Sequence, residues 1–136
     1  MNRKRFHVIA ALVLSTALLL TAFGQVKAQS EKEPVLIIGA LYGGPITDAG
    51  YNQAMHDGVT AIAKNIKGVK IIEAENVADE AGATLTMENM IKQGAKLIIA
   101  TAFNHQYPAL KLSKKYSDVI FEHAGGWEMG PNVEAL

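Results

Sequence analysis

The chain contains no cysteine in its 136 residues. That absence excludes disulfide frameworks, thiolate zinc sites and cysteine nucleophiles. An excess of charge is also absent, because 13 basic residues stand against 13 acidic ones. Four of the basic residues and none of the acidic ones lie in the first 28 positions, which leaves a mildly acidic remainder. Binding to a nucleic-acid backbone needs clustered Lys and Arg, so we expect no nucleic-acid partner.

The signatures of common catalytic and nucleotide-binding sites are missing as well. The sequence has no GxGxxG, GxxxxGKS, GxxxxGKT, GxSxG or HExxH motif. His56, His105 and His123 stand alone, and a solitary histidine is more often a surface or hydrogen-bonding residue than a metal ligand. Glu122 and His123 are neighbours at the end of a predicted strand, where adjacent residues point to opposite faces, so they cannot act on one substrate. We therefore expect no enzyme activity, no metal site and no cofactor.

The first 28 residues have the organisation of an export signal. Three basic residues at positions 3–5 precede an apolar run, Val8–Phe23, of 16 residues. Val26-Lys27-Ala28 then offers small residues at the two positions that a signal peptidase reads, which predicts a signal peptide over residues 1–28 and a periplasmic or secreted protein. The alternative, an uncleaved membrane anchor, needs about 20 apolar residues. Because no cysteine follows the cleavage point, we expect no lipid anchor.

After a short polar tail at residues 29–34, apolar runs alternate with helical periods. The runs predict strands at 35–41, 69–74, 96–101 and 118–122. Apolar residues at helical spacing predict helices at about 49–66, 80–93 and 108–116, whereas 127–136 shows neither pattern. Alternating strands and helices indicate βαβ units, so we predict an α/β fold with a doubly wound parallel sheet. Since the pattern stops midway, we expect residues 35–136 to be part of a larger lobe; the alternative is a small complete domain with a loose tail.

The candidate binding residues lie in the loops that follow the predicted strands. In open parallel sheets, ligands bind beyond the carboxyl ends of the strands, which selects loops 42–52, 75–79, 102–107 and 123–127. Two of these loops combine aromatic rings with amide or carboxylate groups, a set that suits a flat, polar, uncharged ligand. Each ring could instead pack against the sheet end, and Asp48 could be only the N-cap of the first helix. The candidates are Asp48, Tyr51, Asn52, Phe103, Asn104 and Tyr107.

Three stretches of the sequence carry a family resemblance. Gly44–Asn52, which reads G-P-I-T-D-A-G-Y-N, resembles the opening motif of the basic membrane protein family. These are substrate-binding proteins of ABC importers, related to the purine nucleoside receptors of bacteria. Ala102–Phe103 and Phe121–Ala124 resemble two further stretches of one branch of the family. The similarity extends from Val35 to Leu136, with Pro108, Leu110, Lys111 and Asn132 also as in that branch.

The resemblance implies a type I periplasmic-binding fold, in which two doubly wound lobes joined by a hinge close on a ligand. Two lobes need roughly 300 residues, so residues 35–136 are expected to form part of the N-terminal lobe. Three positions depart from the family pattern: Tyr51 stands in place of Trp, Tyr107 in place of Asn or Asp, and Gly125 in place of Thr.

The function implied by the resemblance is that of an extracytoplasmic receptor for a purine base or nucleoside. Its partners are then the small-molecule ligand and the permease subunits of an ABC transporter. Tyr51 and Phe103 are expected to stack on the ligand, and Asp48 to accept from its edge. Two alternatives stay open: a receptor of the same fold for a sugar or another small polar solute, and a secreted α/β enzyme whose catalytic residues lie outside residues 35–136.

The signal peptide gives the first testable prediction. The exported protein should begin at Gln29, because cleavage after Ala28 follows from the basic, apolar and small-residue segments in that order. Intact-mass measurement of the exported protein checks this. A product that still carries Met1 contradicts it.

Overall fold

The computed structural model describes residues 36–136, in which strands and helices alternate along the chain. The predicted signal peptide and polar tail lie outside the described residues. The strands are β1 (Leu36–Leu41), β2 (Val69–Ala74), β3 (Leu97–Ala100), β4 (Ile120–His123) and β5 (Val133–Ala135). The helices are α1 (Tyr51–Asn65), α2 (Glu80–Lys92) and α3 (Gln106–Lys115), the last preceded by a 3-10 turn at Phe103–His105.

The five strands form one parallel sheet in the order β2-β1-β3-β4-β5. The chain passes from β1 outward to β2, and then crosses to the other side of β1 to form β3. The direction of winding therefore reverses between β1 and β3. This arrangement confirms the predicted α/β fold with a doubly wound parallel sheet.

Residues of β1 pack alternately into two apolar clusters, one on each face of the sheet. Ile38 and Ala40 join Val59 of α1 on one face. Leu41 joins side chains of α2 and α3 on the other face. Because helices cover β1 on both faces, its sequence is a continuous apolar run rather than an alternating one.

Gly39 allows α2 to lie close against the centre of the sheet. A Cβ atom at this position would lie 2.7 Å from Sδ of Met90 and 2.8 Å from Cδ1 of Ile98. Both neighbours are buried, so a larger residue would have to displace packed core atoms.

Two expectations from the sequence are wrong, one about residues 127–136 and one about the start of α3. Residues 127–136 were expected to contain no regular element, yet Val133–Ala135 form β5, which pairs with β4 through Phe121 and Val133. A strand of three residues is too short to produce a readable period. The start of α3 also differs, since the helix begins at Gln106 and not at Pro108. Pro108 is its third residue, where a missing N–H costs nothing because the first four N–H groups have no intrahelical acceptor.

Asn132 joins the segment before β5 to the end of α3. Its Nδ2 lies 2.7 Å from the carbonyl oxygen of Val119 and 3.2 Å from those of Ser113 and Tyr116. Two of these carbonyls lie at the C-terminus of α3, where helical carbonyls lack intrahelical donors. This half-buried amide thus positions β5 and supplies a donor to carbonyl groups at the C-terminus of α3.

Among residues 36–136, no helix combines the length and the hydrophobicity that crossing a bilayer requires.

The Asn132 contacts yield a stability prediction. Asn132→Ala should lower the free energy of unfolding by about 1 to 3 kcal/mol, because it leaves partly buried carbonyls without a donor. The matched control is Asn89→Ala, an exposed asparagine in α2 that should change stability by less than about 0.5 kcal/mol. Urea denaturation of the two variants measures both values. Equal effects would show that the three contacts contribute nothing specific.

Candidate functional site

The carboxyl ends of β1 and β3 lie side by side at the point where the winding reverses. Leu41 and Ala100 are register partners there. Thr101 continues the pairing: its backbone N–H and its hydroxyl both donate to the carbonyl oxygen of Leu41, at 3.2 and 2.9 Å. In open parallel sheets this crevice is where ligands bind.

A shallow cavity of about 470 Å³ opens at this crevice. Gly43 lines this cavity, and a Cβ atom at that position would lie only 2.8 Å from the Cβ of Ala102. Among the described residues that line the cavity, none has a charged side chain. Three of the six sequence candidates belong to the lining, whereas Asp48, Asn104 and Tyr107 do not. The lining consists of Gly43, Gly44, Tyr51, Asn52, Thr101, Ala102, Phe103, Ala124 and Gly125.

Tyr51 is the first residue of α1, and its side chain reaches the residue that follows β3. Its hydroxyl donates to the carbonyl oxygen of Thr101 at 2.8 Å. Partial burial raises the pKa of the phenol, so the hydroxyl stays protonated as a donor. The side chain is still 50% exposed. The hydrogen bond therefore fixes the ring while leaving part of its surface open to the cavity.

The N-cap position of α1 is Gly50, and the Asp48 carboxylate caps the helix from two residues before it. Its Oδ1 accepts from the backbone N–H groups of Gly50 and Gln53 at 2.8 and 3.1 Å. Its Oδ2 accepts from the backbone and the side-chain amide of Asn52 at 3.1 and 2.8 Å. Both carboxylate oxygens are thus engaged, which is the capping role that the sequence left open beside edge recognition. Edge recognition by Asp48 stays a prediction, and it would require some of these bonds to be exchanged.

The loop before α1 is held in a strained conformation. Ala49 has a φ of 54°, in the left-handed region that a residue with a side chain rarely adopts. The Asp48 carboxylate helps to maintain it, because it reaches past Ala49 to accept from the N–H groups of Gly50 and Gln53. Asn52 adds a further contact, since its Oδ1 accepts from the N–H of Gly44 at 3.2 Å. Strain of this kind is common at binding sites, where the surrounding contacts over-determine the backbone.

The candidates that follow β3 divide between the cavity and its surroundings. Phe103 lies on the 3-10 turn, lines the cavity and is 72% exposed. The Asn104 side chain donates to the carbonyl oxygen of Ala78 and so attaches the turn to the segment before α2. Tyr107 lies along a separate groove of about 640 Å³, which Met129 and Pro131 also line.

Trp127 is a residue that the sequence placed in a candidate loop but did not single out. Its ring centroid lies 4.9 Å from that of Phe103, with the planes tilted by 37°. Tyr107 approaches the same indole edge-on, at 6.3 Å and 88°. The sequence could have marked Trp127 as a candidate site residue, because it directly follows Gly125-Gly126 beyond the carboxyl end of β4.

Two buried histidines support the cavity from the core. His105 and His123 are both fully buried, and of the two roles expected for a solitary histidine, surface or hydrogen-bonding, they have the hydrogen-bonding one. Each Nε2 lies 2.7 Å from a carbonyl oxygen, that of Val77 for His105 and that of Ala102 for His123. Because a carbonyl only accepts, both Nε2 atoms carry the proton.

The second ring nitrogen of His105 is also hydrogen-bonded. Its Nδ1 accepts from the N–H of Ala102 at 3.2 Å, so both ring nitrogens are used in the neutral form. Burial lowers the pKa of His105, which favours that form. Among residues 36–136, no three metal-binding side chains come together. Both histidines hydrogen-bond to the backbone of Ala102 and so hold it in place.

The fold is a doubly wound α/β domain with an uncharged cavity at its switch point, the place where small ligands usually bind in such sheets. The family model for PnrA-like ABC transporter substrate-binding proteins, Bmp, matches residues 35–133. The chain belongs to this family, as its sequence resemblance predicts.

The chain is similar to a purine-binding protein of Brucella abortus (strain 2308). The two are 35% identical over 107 residues, which make up 76% of this chain and 30% of that protein. The chain therefore spans about a third of the length of this relative.

Solved structures share the fold. An ABC transporter solute-binding protein from Conexibacter woesei DSM 14684 matches with a TM-score of 0.67 and 17% identity, over 74% of this chain and 34% of that one. A transcriptional activator of the comK gene from Bacillus halodurans matches at 0.64 and 23%, over 73% and 33%. A solute-binding protein from Aeropyrum pernix K1 matches at 0.63 and 19%, over 74% and 28%. At these identities the likeness concerns the fold alone.

The Asp48 cap predicts a specific pH dependence. Hydrogen bonds from the Asn52 side chain, and then from the backbone of Gln53 and Gly50, lower the pKa of Asp48 from 3.8 to about 2. A carboxyl whose pKa is depressed by folding stabilises the protein above its unfolded pKa, and this stabilisation is lost as the pH falls through the folded value. Asp48→Asn should therefore lower the melting temperature at about pH 5 and have much less effect at about pH 2.

Asp57→Asn is the matched control for this measurement. Asp57 is also exposed and also lies on α1, but its carboxylate accepts no hydrogen bond from another described residue. Thermal denaturation of wild type and both variants across this pH range separates the two positions. A deficit for Asp48→Asn that is constant with pH would contradict the capping account.

Proposed function

We propose that this chain forms ligand-binding structure of an extracytoplasmic receptor of an ABC importer, and that the ligand is a purine base or nucleoside. Membership of a substrate-binding family supports the receptor role. The purine-binding relative from Brucella abortus supports the choice of ligand. The protein acts with permease subunits, in the periplasm or outside the cell, after its signal peptide is removed. It binds its solute without transforming it.

The observation that carries the proposal is the pair of exposed rings beside an uncharged cavity. Tyr51 and Phe103 come from the two elements that flank the switch point, and both line the cavity. A volume of about 470 Å³ lies within the usual range of ligand sites. A purine is flat and uncharged, so aromatic rings can stack on its faces while amide and hydroxyl groups read its edge.

Besides Tyr51, the lining of this cavity includes two polar side chains, those of Asn52 and Thr101. Asn52 uses one amide hydrogen on Asp48 and one oxygen lone pair on Gly44. A second hydrogen and a second lone pair remain for a ligand. We therefore assign edge recognition first to Asn52, with Asp48 holding that amide in place and contributing directly only if a ligand displaces a capping bond.

The remaining candidates are assigned supporting roles around the cavity. Asn104 fixes the turn that carries Phe103, through its bond to the carbonyl oxygen of Ala78. Tyr107 lies 52% exposed beside the outer groove, where it can meet a ligand only at the periphery.

The alternatives are less well supported by the described residues. A sugar receptor commonly grips hydroxyl groups with charged side chains, and the described lining of the cavity has none. An enzyme would need a nucleophile, a metal or an acid–base pair at the site. The two histidines near the cavity are buried, and Nε2 of each is engaged by a backbone carbonyl oxygen.

Ring removal tests the proposed stacking. Tyr51→Ala and Phe103→Ala should each weaken purine binding about 5- to 150-fold, because stacking of an aromatic side chain on a base contributes about 1 to 3 kcal/mol. Tyr51→Phe is the matched control: it keeps the ring and removes only the hydroxyl, and so should retain most of the affinity. Calorimetric titration with adenine, adenosine, guanosine and ribose measures each value. Ribose binding without purine binding, or unchanged affinity in both alanine variants, contradicts the proposal.

A further inference from the structure

The exposed ring of Phe103 lies between the cavity and Trp127. Phe103 belongs to the lining of the cavity, and Trp127 does not. The indole contacts Phe103 at a centroid distance of 4.9 Å. Phe103 is 72% exposed, so little of its ring is covered by the protein, and the contact with Trp127 is an aromatic one. An exposed phenylalanine without such a neighbour would be free to change rotamer.

Trp127 is itself anchored to the protein core. Oε1 of the fully buried Gln106 accepts from the backbone N–H of Trp127 at 2.7 Å, and that of Glu128 is 3.4 Å away. Gly126 fits against this anchor only because it lacks a side chain. A Cβ atom there would lie 2.4 Å from Nδ1 of His123 and 3.0 Å from Oε1 of Gln106. The backbone that carries the indole is thus held by buried groups, although the indole is half exposed.

Tyr107 restrains the indole from another direction. Its ring meets that of Trp127 edge-on at 6.3 Å. Phe103, Trp127 and Tyr107 therefore form an aromatic row in which only Phe103 borders the cavity. Edge-on and tilted contacts of this kind favour one orientation of each ring over others.

We propose that Trp127 is a positioning residue that fixes the ring of Phe103 for stacking on the ligand, without contacting the ligand itself. This inference rests on the proposed function and adds a residue to it. A ring fixed before binding loses less rotamer freedom when the ligand arrives, which strengthens binding. An aromatic pair of this geometry corresponds to a change in affinity of roughly 2- to 12-fold.

A first experiment tests the aromatic contact without any ligand. Trp127 is the single tryptophan of the chain, so its fluorescence reports on its own surroundings. Phe103→Leu should shift the emission to longer wavelength, because the indole loses its neighbour and becomes more exposed. Leu85→Ala, which removes an exposed apolar side chain from α2, should leave the emission unchanged. Emission of Phe103→Leu equal to that of wild type would overturn the inference, whatever the protein binds.

A second experiment tests the effect on binding by a double-mutant cycle. Trp127→Ala should weaken adenosine binding about 2- to 12-fold, and Trp127→Phe, which keeps a ring, should restore at least half of the loss. Met129→Ala is the matched control, since Met129 is exposed in the same segment and makes no aromatic contact with Phe103. In a Phe103→Ala background, Trp127→Ala should produce no further loss, because Trp127 acts through Phe103.

The outcomes separate this inference from the proposed function. Failure of the wild-type protein to bind any purine contradicts the proposed function, and the fluorescence of Phe103→Leu still decides whether the aromatic contact exists. Purine binding by wild type together with an undiminished effect of Trp127→Ala in the Phe103→Ala background overturns the positioning role. Melting temperatures of all variants show whether a loss reflects unfolding.

Discussion

The reversal of winding between β1 and β3 is the constraint on which the rest of the structure depends. Because β2 and β3 lie on opposite sides of β1, the helices that connect them cover opposite faces of the sheet, α1 on one and α2 on the other. Because α1 and α2 lie on opposite faces, a crevice is left between them above the carboxyl ends of β1 and β3. The position of the crevice therefore follows from the order of the strands and does not depend on which side chains line it.

The side chains around the crevice serve mainly to hold backbone in place. Asp48 and Asn52 secure a strained loop on one side. His105 and His123 secure Ala102 on the other. These buried or multiply bonded groups leave Tyr51 and Phe103 as exposed rings on rigid supports. Pre-organisation of this kind reduces the conformational entropy that the protein loses when a ligand binds.

Sequence patterns predicted the sheet well where strands are long and buried. The apolar runs that became β1 and β2 were visible, whereas β5 has three residues and depends on pairing with β4 for its identity. The lining of the cavity was predicted in part. Tyr51, Asn52 and Phe103 line the cavity, because a residue just beyond a strand end must lie near the crevice. The engagement of both Asp48 oxygens, and the contact of Trp127 with a ring 24 positions earlier, depend on three-dimensional placement that no local pattern encodes.

We infer that a purine occupies the switch-point cavity next to Tyr51 and Phe103. A crystal structure of the protein in complex with adenosine tests this most directly. The account predicts electron density for the base against one or both of these rings, with the Asn52 amide within hydrogen-bonding distance of its edge and the Phe103 ring still packed on Trp127. Density for the nucleoside in the outer groove beside Tyr107 and Met129, with the cavity empty, would contradict it.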